Sequence, residues 1–163
     1  MLQFDLSPLV GARLGVRLVF SLDEGPQQLE EVATSFLRGE LRFTRIEKGI
    51  LVEGEAETEI QVRCVRCLES FPLLATLEIE EIIGLSKRPD VTYFITDEGW
   101  FEISPLLREQ ALVSIPLKAL CSPDCKGICS ECGSNLNTDD CGCSREPVDL
   151  RLAVLASLLE KEE

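Results

Sequence analysis

Apolar and polar residues alternate along most of the first half of the chain. Between residues 50 and 62, Val52, Ala56, Ile60 and Val62 fall at even positions, and the glutamates fall at odd positions. This period of two is typical of a strand with one buried and one solvated face. Similar alternation begins at Leu41 and again at Phe71, and Glu47-Lys48-Gly49 supplies turn residues between the first two runs. The pattern therefore predicts three consecutive antiparallel strands.

Shorter patterns predict the elements on either side of these strands. Alternation over residues 13–21 predicts a strand, and VTYFI at residues 91–95 is a further strand candidate. The segment from 29 to 36 predicts a short helix, because its apolar residues have helical spacing. These residues are Leu29, Val32, Ala33 and Phe36.

The second half of the chain contains two helical patterns. Ser104 precedes Pro105, which predicts an N-cap followed by the first helical position of a helix over 104–114. Near the end of the chain, apolar residues recur at i, i+3, i+4 and i+7 and predict an amphipathic helix over 149–159, with Asp149 as its cap. Those apolar residues are Leu152, Leu155, Ala156 and Leu159.

Eight cysteines add chemistry to this framework. Two of them form CVRC between the second and third predicted strands, and six follow within 23 residues; they are Cys64, Cys67, Cys121, Cys125, Cys129, Cys132, Cys141 and Cys143. A structural zinc ion takes four nitrogen or sulfur ligands, and the chain has no histidine. Eight cysteines are therefore enough for two all-cysteine zinc sites. Disulfides or unligated thiols, a redox pair and an iron–sulfur cluster are the alternatives.

The spacing leaves the division of the eight ligands between two sites open, although local geometry favours one solution. CSECG, residues 129–133, has the form of a metal-binding knuckle whose glycine permits a tight turn. With Cys141 and Cys143 it would complete one site, which leaves Cys121 and Cys125 to join the CVRC pair. Arg63, Arg66 and Lys126 lie beside these ligands and would balance the negative charge of a four-thiolate site.

Together these patterns predict an α+β fold. We expect an antiparallel β-sheet with a strand-to-strand Cys knuckle, then a helix, a Cys-rich zinc-binding segment and a C-terminal amphipathic helix. The 163 residues fit one domain, residues 1–163, mainly β over about 1–96 and helical and Cys-rich over about 97–163. No apolar run approaches the roughly 20 residues of a membrane span, and the N-terminus resembles no signal peptide. We therefore expect a cytoplasmic protein.

Charge restricts the classes of function. The chain has 29 acidic and 16 basic residues, a formal net charge of -13. Such a chain repels phosphate backbones overall, so a basic protein is the easier partner. Without histidine, Ser-His and Cys-His nucleophiles and histidine-ligated catalytic zinc are excluded. A filled four-cysteine site also leaves no open position for water. We therefore expect no enzymatic activity and infer no small-molecule substrate.

The order of motifs resembles the YceD family of bacterial and plastid proteins. The resemblance rests on C-x-R-C between strands, then LVSIPLKALC, CKGICSECGSNLN, CGC and DLRLAVLASLL. It implies a role in ribosome biogenesis, in the synthesis, processing or accumulation of large-subunit ribosomal RNA, without an established catalytic step. Some members of the family keep the C-x-R-C pair while lacking downstream cysteines, so the resemblance marks Cys64, Cys67 and Arg66 as candidates for the shared function.

Three hypotheses of function follow. The first is a zinc-stapled adaptor whose acidic surface binds a basic ribosomal protein, an assembly factor or a ribosomal RNA precursor complex. The second is a direct RNA-binding protein with a local basic patch at Arg42, Arg45, Arg63 and Arg66, extended by Lys87 and Arg88, with Phe43, Phe71 or Trp100 stacking on bases. The third is a thiol redox protein, although no C-x-x-C pair lies in a βαβ context.

Overall fold

The computed structural model describes residues 2–89 and 91–143. The described part of the chain contains seven strands and two helices. They are β1 (Gln3–Asp5), α1 (Ser7–Val10), β2 (Arg17–Glu24), β3 (Gln27–Leu29), β4 (Val32–Ile46), β5 (Gly49–Arg63), β6 (Ser70–Ile83), β7 (Trp100–Glu102) and α2 (Ser104–Ser114).

The main sheet is antiparallel and has the order β2-β4-β5-β6, with β3 paired to β4. Its three longest strands are the three predicted from alternation, and the turn between β4 and β5 lies at the predicted position. β1 and β7 form a separate antiparallel pair. The prediction of an antiparallel sheet is therefore confirmed.

The predicted helix over 29–36 is wrong, because this segment forms β3 and the start of β4. Glu30 has a φ of 52°, so the chain reverses between the two strands. The register of β4 against β5 then shifts between Thr34 and Leu37, as it does at a β-bulge. A tight turn followed by a bulge displaces the apolar residues from strict alternation, which gave the sequence a helical spacing.

Three other predictions change in detail. The strand predicted at 13–21 begins only at Arg17, after a turn in which Gly15 has a φ of 86°. VTYFI is not a strand; its described part forms a single bridge between Gly84 and Phe94. The helix over 104–114 is confirmed, but Ile103 is its N-cap and Ser104 is already helical, with its hydroxyl donating a hydrogen bond to the Glu102 carboxylate.

The core lies against the face of the sheet that carries the apolar residues of β4, β5 and β6. Phe43 is fully buried, and its ring contacts those of Phe4, Phe20 and Phe101 at centroid distances of 5.4, 5.6 and 6.4 Å. Helix α2 packs against β6 and buries Leu106, Leu107 and Ala111. The apolar face of the main sheet therefore packs on a core of phenylalanine and aliphatic side chains.

The chain divides into two compact units. The first comprises Met1–Val65 and Glu69–Cys121 and holds every strand and helix named above. The second comprises Arg66–Leu68 and the chain from Ser122 onward; its described part consists of turns and a bridge between Ile128 and Asn135. The predicted helix at 149–159 lies outside the described residues. Within residues 2–89 and 91–143, no helix is long and apolar enough to cross a membrane.

Candidate metal centres

The CVRC knuckle begins where β5 ends. The antiparallel register of β5 and β6 places Arg63 opposite Ser70, so six residues connect the two strands. The Cys64 backbone N–H donates to the Glu69 carbonyl at 2.9 Å and closes this connection. The Val65 N–H donates to the Ala119 carbonyl, also at 2.9 Å, and so fixes the start of the knuckle beside the segment that leads into Cys121.

In the second unit, Arg66 lies beside the segment around Cys125. Its Nη1 donates to the Cys125 carbonyl at 2.9 Å. Gly127 has a φ of 81°, and a Cβ at this position would come within 3.2 Å of the Arg66 carbonyl oxygen. Both the left-handed backbone and the close approach explain why glycine occupies position 127. The arginine of the C-x-R-C motif therefore holds the backbone of another candidate ligand.

Four sulfurs form what we call the inner group: Cys64, Cys67, Cys121 and Cys125. Their Sγ atoms lie within 4.8 Å of one another. Zinc–sulfur bonds of about 2.3 Å in a tetrahedron place the sulfurs about 3.8 Å apart, and the spacing of this cluster is compatible with such an ion. Three of the four side chains are buried, and only Cys121 is exposed. Buried all-sulfur ligands are typical of a closed structural site rather than a catalytic one.

The remaining four cysteines form the outer group: Cys129, Cys132, Cys141 and Cys143. Their sulfurs also lie within 4.8 Å of one another, but none of these side chains is fully buried. The predicted knuckle is present, since the Gly133 N–H donates to the Cys129 carbonyl at 2.9 Å and Gly133 has a φ of 74°. The structure thus separates the eight cysteines into the two sets that local geometry favoured.

Hydrogen bonds in and around the outer group lower the pKa of two of its thiols and raise the pKa of the other two. Hydrogen bonding from the Ser134 side chain and backbone lowers the pKa of Cys132 to about 6, and the backbone of Cys132 and Glu131 lowers the pKa of Cys129. Their partners move the other way: the hydrogen bond with Cys129 raises the pKa of Cys141, and the one with Cys132 raises that of Cys143 to about 12. Cys132 is therefore ready to bind a cation as a thiolate, while Cys143 must release a proton to do so.

The four candidate RNA-binding arginines have different surroundings. Arg45 donates from Nη1 to the Gly49 carbonyl at 2.7 Å and so supports the β4–β5 turn. Arg42 is exposed but lies opposite Glu53 in the sheet, and Arg66 is engaged with the Cys125 backbone. Arg63 is exposed at the end of β5. Phe43 is fully buried, so its predicted role in base stacking is wrong.

The exposed face of the sheet carries a feature that sequence reasoning did not identify. Glu40 on β4 lies opposite Glu55 on β5, which lies opposite Glu78 on β6, and all three are exposed. We call these three residues the glutamate row. Glu53 and Glu80 form a further like-charged pair beside it. The alternating glutamates were visible in the sequence, but the strand register that aligns them was not.

Comparison with known proteins gives a consistent result. The family model described as large ribosomal RNA subunit accumulation protein YceD matches residues 52–159. A chloroplastic large ribosomal RNA subunit accumulation protein YCED homolog 1 from Arabidopsis thaliana is 26% identical over 193 aligned residues, covering 98% of this chain. The maize protein of the same name is 40% identical over 134 aligned residues, covering 61% of this chain.

A further relative is an uncharacterised protein of Mycobacterium tuberculosis, 26% identical over 158 aligned residues; the match covers 93% of this chain and 70% of that protein. The chain spans 58% of the length of the Arabidopsis protein and 46% of that of the maize protein. No solved structure matches the chain.

Proposed function

The chain belongs to the YceD family, and we propose that it supports the accumulation of large-subunit ribosomal RNA as a non-catalytic, zinc-stapled adaptor. The family model and the names of the plant relatives supply the biological process. The two cysteine groups and the charge of the sheet support the proposed mechanism.

Zinc is the metal that best fits the two groups. All eight candidate ligands are sulfurs, each group brings four of them together, and tetrahedral all-sulfur coordination is typical of structural zinc. Four thiolates fill the coordination sphere and leave no position for a reacting water, which favours a structural role over a catalytic one.

The glutamate row is the observation that carries the adaptor hypothesis. Directly opposed like charges destabilise an antiparallel sheet, yet Glu55 has a carboxylate opposite it on both neighbouring strands. A cationic partner would remove this repulsion on binding. Lysine- and arginine-rich proteins that contact ribosomal RNA are partners of this chemistry, and such electrostatic association is fast and sensitive to salt.

The experiment is capture of partners from a lysate of the source organism by the full-length tagged protein, with half of each sample treated with ribonuclease before elution. The test variant replaces Glu40, Glu55 and Glu78 with glutamine. The control variant makes the same change in charge at exposed sites away from the row, with Glu24 and Glu47 replaced by glutamine and Asp97 by asparagine.

We expect basic ribosomal or assembly proteins to remain bound after ribonuclease treatment, to be lost from the test variant and to be retained by the control variant. Loss of all ribosomal material after ribonuclease treatment would instead make RNA the direct partner. In that case the exposed Arg63 is the first residue to reverse in charge. Equal retention by all three proteins would refute the role of the glutamate row.

A further inference from the structure

Asn137 lies in the loop between Cys132 and Cys141 of the outer group, yet its side chain contacts a sulfur of the inner group. We propose that Asn137 couples the two metal centres, so that filling the outer group strengthens metal binding by the inner group. This inference rests on the metal binding proposed above. It adds to that proposal a positioning residue and a coupling between the metal affinities of the two groups.

A short hairpin in the second unit provides the framework. The Cys129 N–H donates to the Ser134 carbonyl and the Leu136 N–H donates to the Gly127 carbonyl, both at 2.9 Å. Between these bonds Ile128 bridges Asn135 in antiparallel fashion. The segment that contains this bridge runs from Cys125, an inner ligand, to Cys129, an outer ligand, only four residues later.

The amide of Asn137 is fixed in orientation by its neighbours. Its Oδ1 accepts the Lys126 N–H at 2.8 Å, and because a backbone N–H can only donate, the oxygen must face Lys126. The Nδ2 atom then points to the Cys125 Sγ at 3.4 Å and also donates to the Asn135 Oδ1 at 2.8 Å. Both amide hydrogens and the amide oxygen thus have partners, and the sulfur receives a donor that is already positioned.

This hydrogen bond matters for a metal-bound thiolate. Four thiolates around one divalent cation leave a formal charge of -2, and an N–H donor to sulfur disperses part of that charge. Residues that hydrogen-bond to metal ligands typically change metal affinity by about 10–100-fold when they are replaced. Asn137 stands in this relation to Cys125.

The coupling follows from where the loop is anchored. Residues 133–140 connect Cys132 to Cys141, so a metal ion in the outer group ties both ends of the loop together. Without that ion, the loop is held by the hairpin bonds and by hydrogen bonds around Asn135. Ordering the loop in advance lowers the cost of placing Asn137 against Cys125. By thermodynamic linkage, the inner group must strengthen the outer group by the same factor.

The test uses cobalt(II), whose visible absorption reports tetrahedral thiolate coordination, titrated into the reduced full-length protein against a competing chelator. Cys132→Ser with Cys143→Ser removes the outer group, and Cys67→Ser disables the inner group, so that each binding step can be assigned. Asn137→Leu removes the amide at similar size. Thr138→Val is the control, because Thr138 lies in the same loop but its hydroxyl bonds to Asn135 and Asp139 rather than to sulfur.

We expect Asn137→Leu and loss of the outer group each to weaken the inner site about 10–100-fold, and their combination to be no worse than either alone. Thr138→Val should behave as wild type.

Multiplicative effects in the combination, or an unchanged metal affinity of the inner site in Asn137→Leu, would overturn the coupling while leaving metal binding intact. If a variant lacking the outer group does not fold, the outer site of Asn137→Leu decides the question: by linkage it should bind cobalt more weakly than that of the wild type when the inner site is filled, and an unchanged outer site would overturn the coupling. Absence of cobalt binding by the wild-type protein would instead refute the proposed metal centres themselves.

Discussion

Replacing Glu55 with glutamine should stabilise the protein while weakening its association with a cationic partner. Glu55 lies opposite Glu40 on one side and Glu78 on the other, so one substitution removes two like-charged cross-strand pairs. Each such pair changes stability by about 0.2–1 kcal/mol. All three carboxylates are exposed and solvent screens them, so the lower part of that range applies and the total gain should be about 0.5–1 kcal/mol.

Glu57→Gln is the matched control for this substitution. Glu57 is exposed on the same face of the same strand, but its neighbours across the sheet are Arg38 and Thr76 rather than two carboxylates. The change in net charge is identical, whereas the local interaction removed is attractive. The free energy of unfolding of Glu57→Gln should therefore stay level or fall slightly, by up to about 0.5 kcal/mol.

The assay is equilibrium unfolding in urea, followed by the fluorescence of Trp100, the single tryptophan, at low and at high ionic strength. The gain of Glu55→Gln should shrink at high salt, because salt screens exposed charges. Partner binding by Glu55→Gln should also be weaker. Equal stabilisation by the two variants would mean that net charge, not register, is responsible. A loss of stability in Glu55→Gln would refute the repulsion on which the adaptor hypothesis depends.

Three further outcomes are expected. Protein purified under reducing conditions should contain two zinc ions per chain by elemental analysis. A strong chelator should raise the rate of amide hydrogen exchange in residues 122–143 far more than in β4 and β5, because metal binding is coupled to local folding. Phe43→Ala should lower the free energy of unfolding by about 3–5 kcal/mol in urea denaturation, because the ring is fully buried among three other phenylalanines. Gly54→Ala should lower the free energy of unfolding by about 1–3 kcal/mol, because the added Cβ would lie 2.2 Å from the Glu40 carbonyl oxygen. Gly25→Ala is the control and should change stability little, because a Cβ at this position has nothing within 4 Å.

Features that depend on local pattern could be predicted from the sequence, whereas features that depend on register could not. Strict alternation predicted β5 and β6 well, and the knuckle at Cys129 was evident from its spacing and its glycine. The glutamate row depends instead on which residue of β4 faces which residue of β5. That pairing is set by the β4–β5 turn, where Ile46 lies opposite Gly49 and the register then continues unbroken to Glu40 and Glu55. The sequence predicted a turn at this place, but alternation alone does not say which residues of the two strands lie opposite each other.

The two units differ in what can stabilise them, and this difference explains why so many cysteines lie near the end of the described chain. The first unit buries a continuous hydrophobic core, whose residues extend along the chain from Leu2 to Ala119. In the described part of the second unit, the buried residues are Cys67, Cys125 and Gly127. The described part of this unit buries few apolar side chains, and small domains of this kind usually depend on metal ions or disulfides. Two metal centres linked through Asn137 would contribute to that stability, and the coupling between them would make each centre stabilise the other.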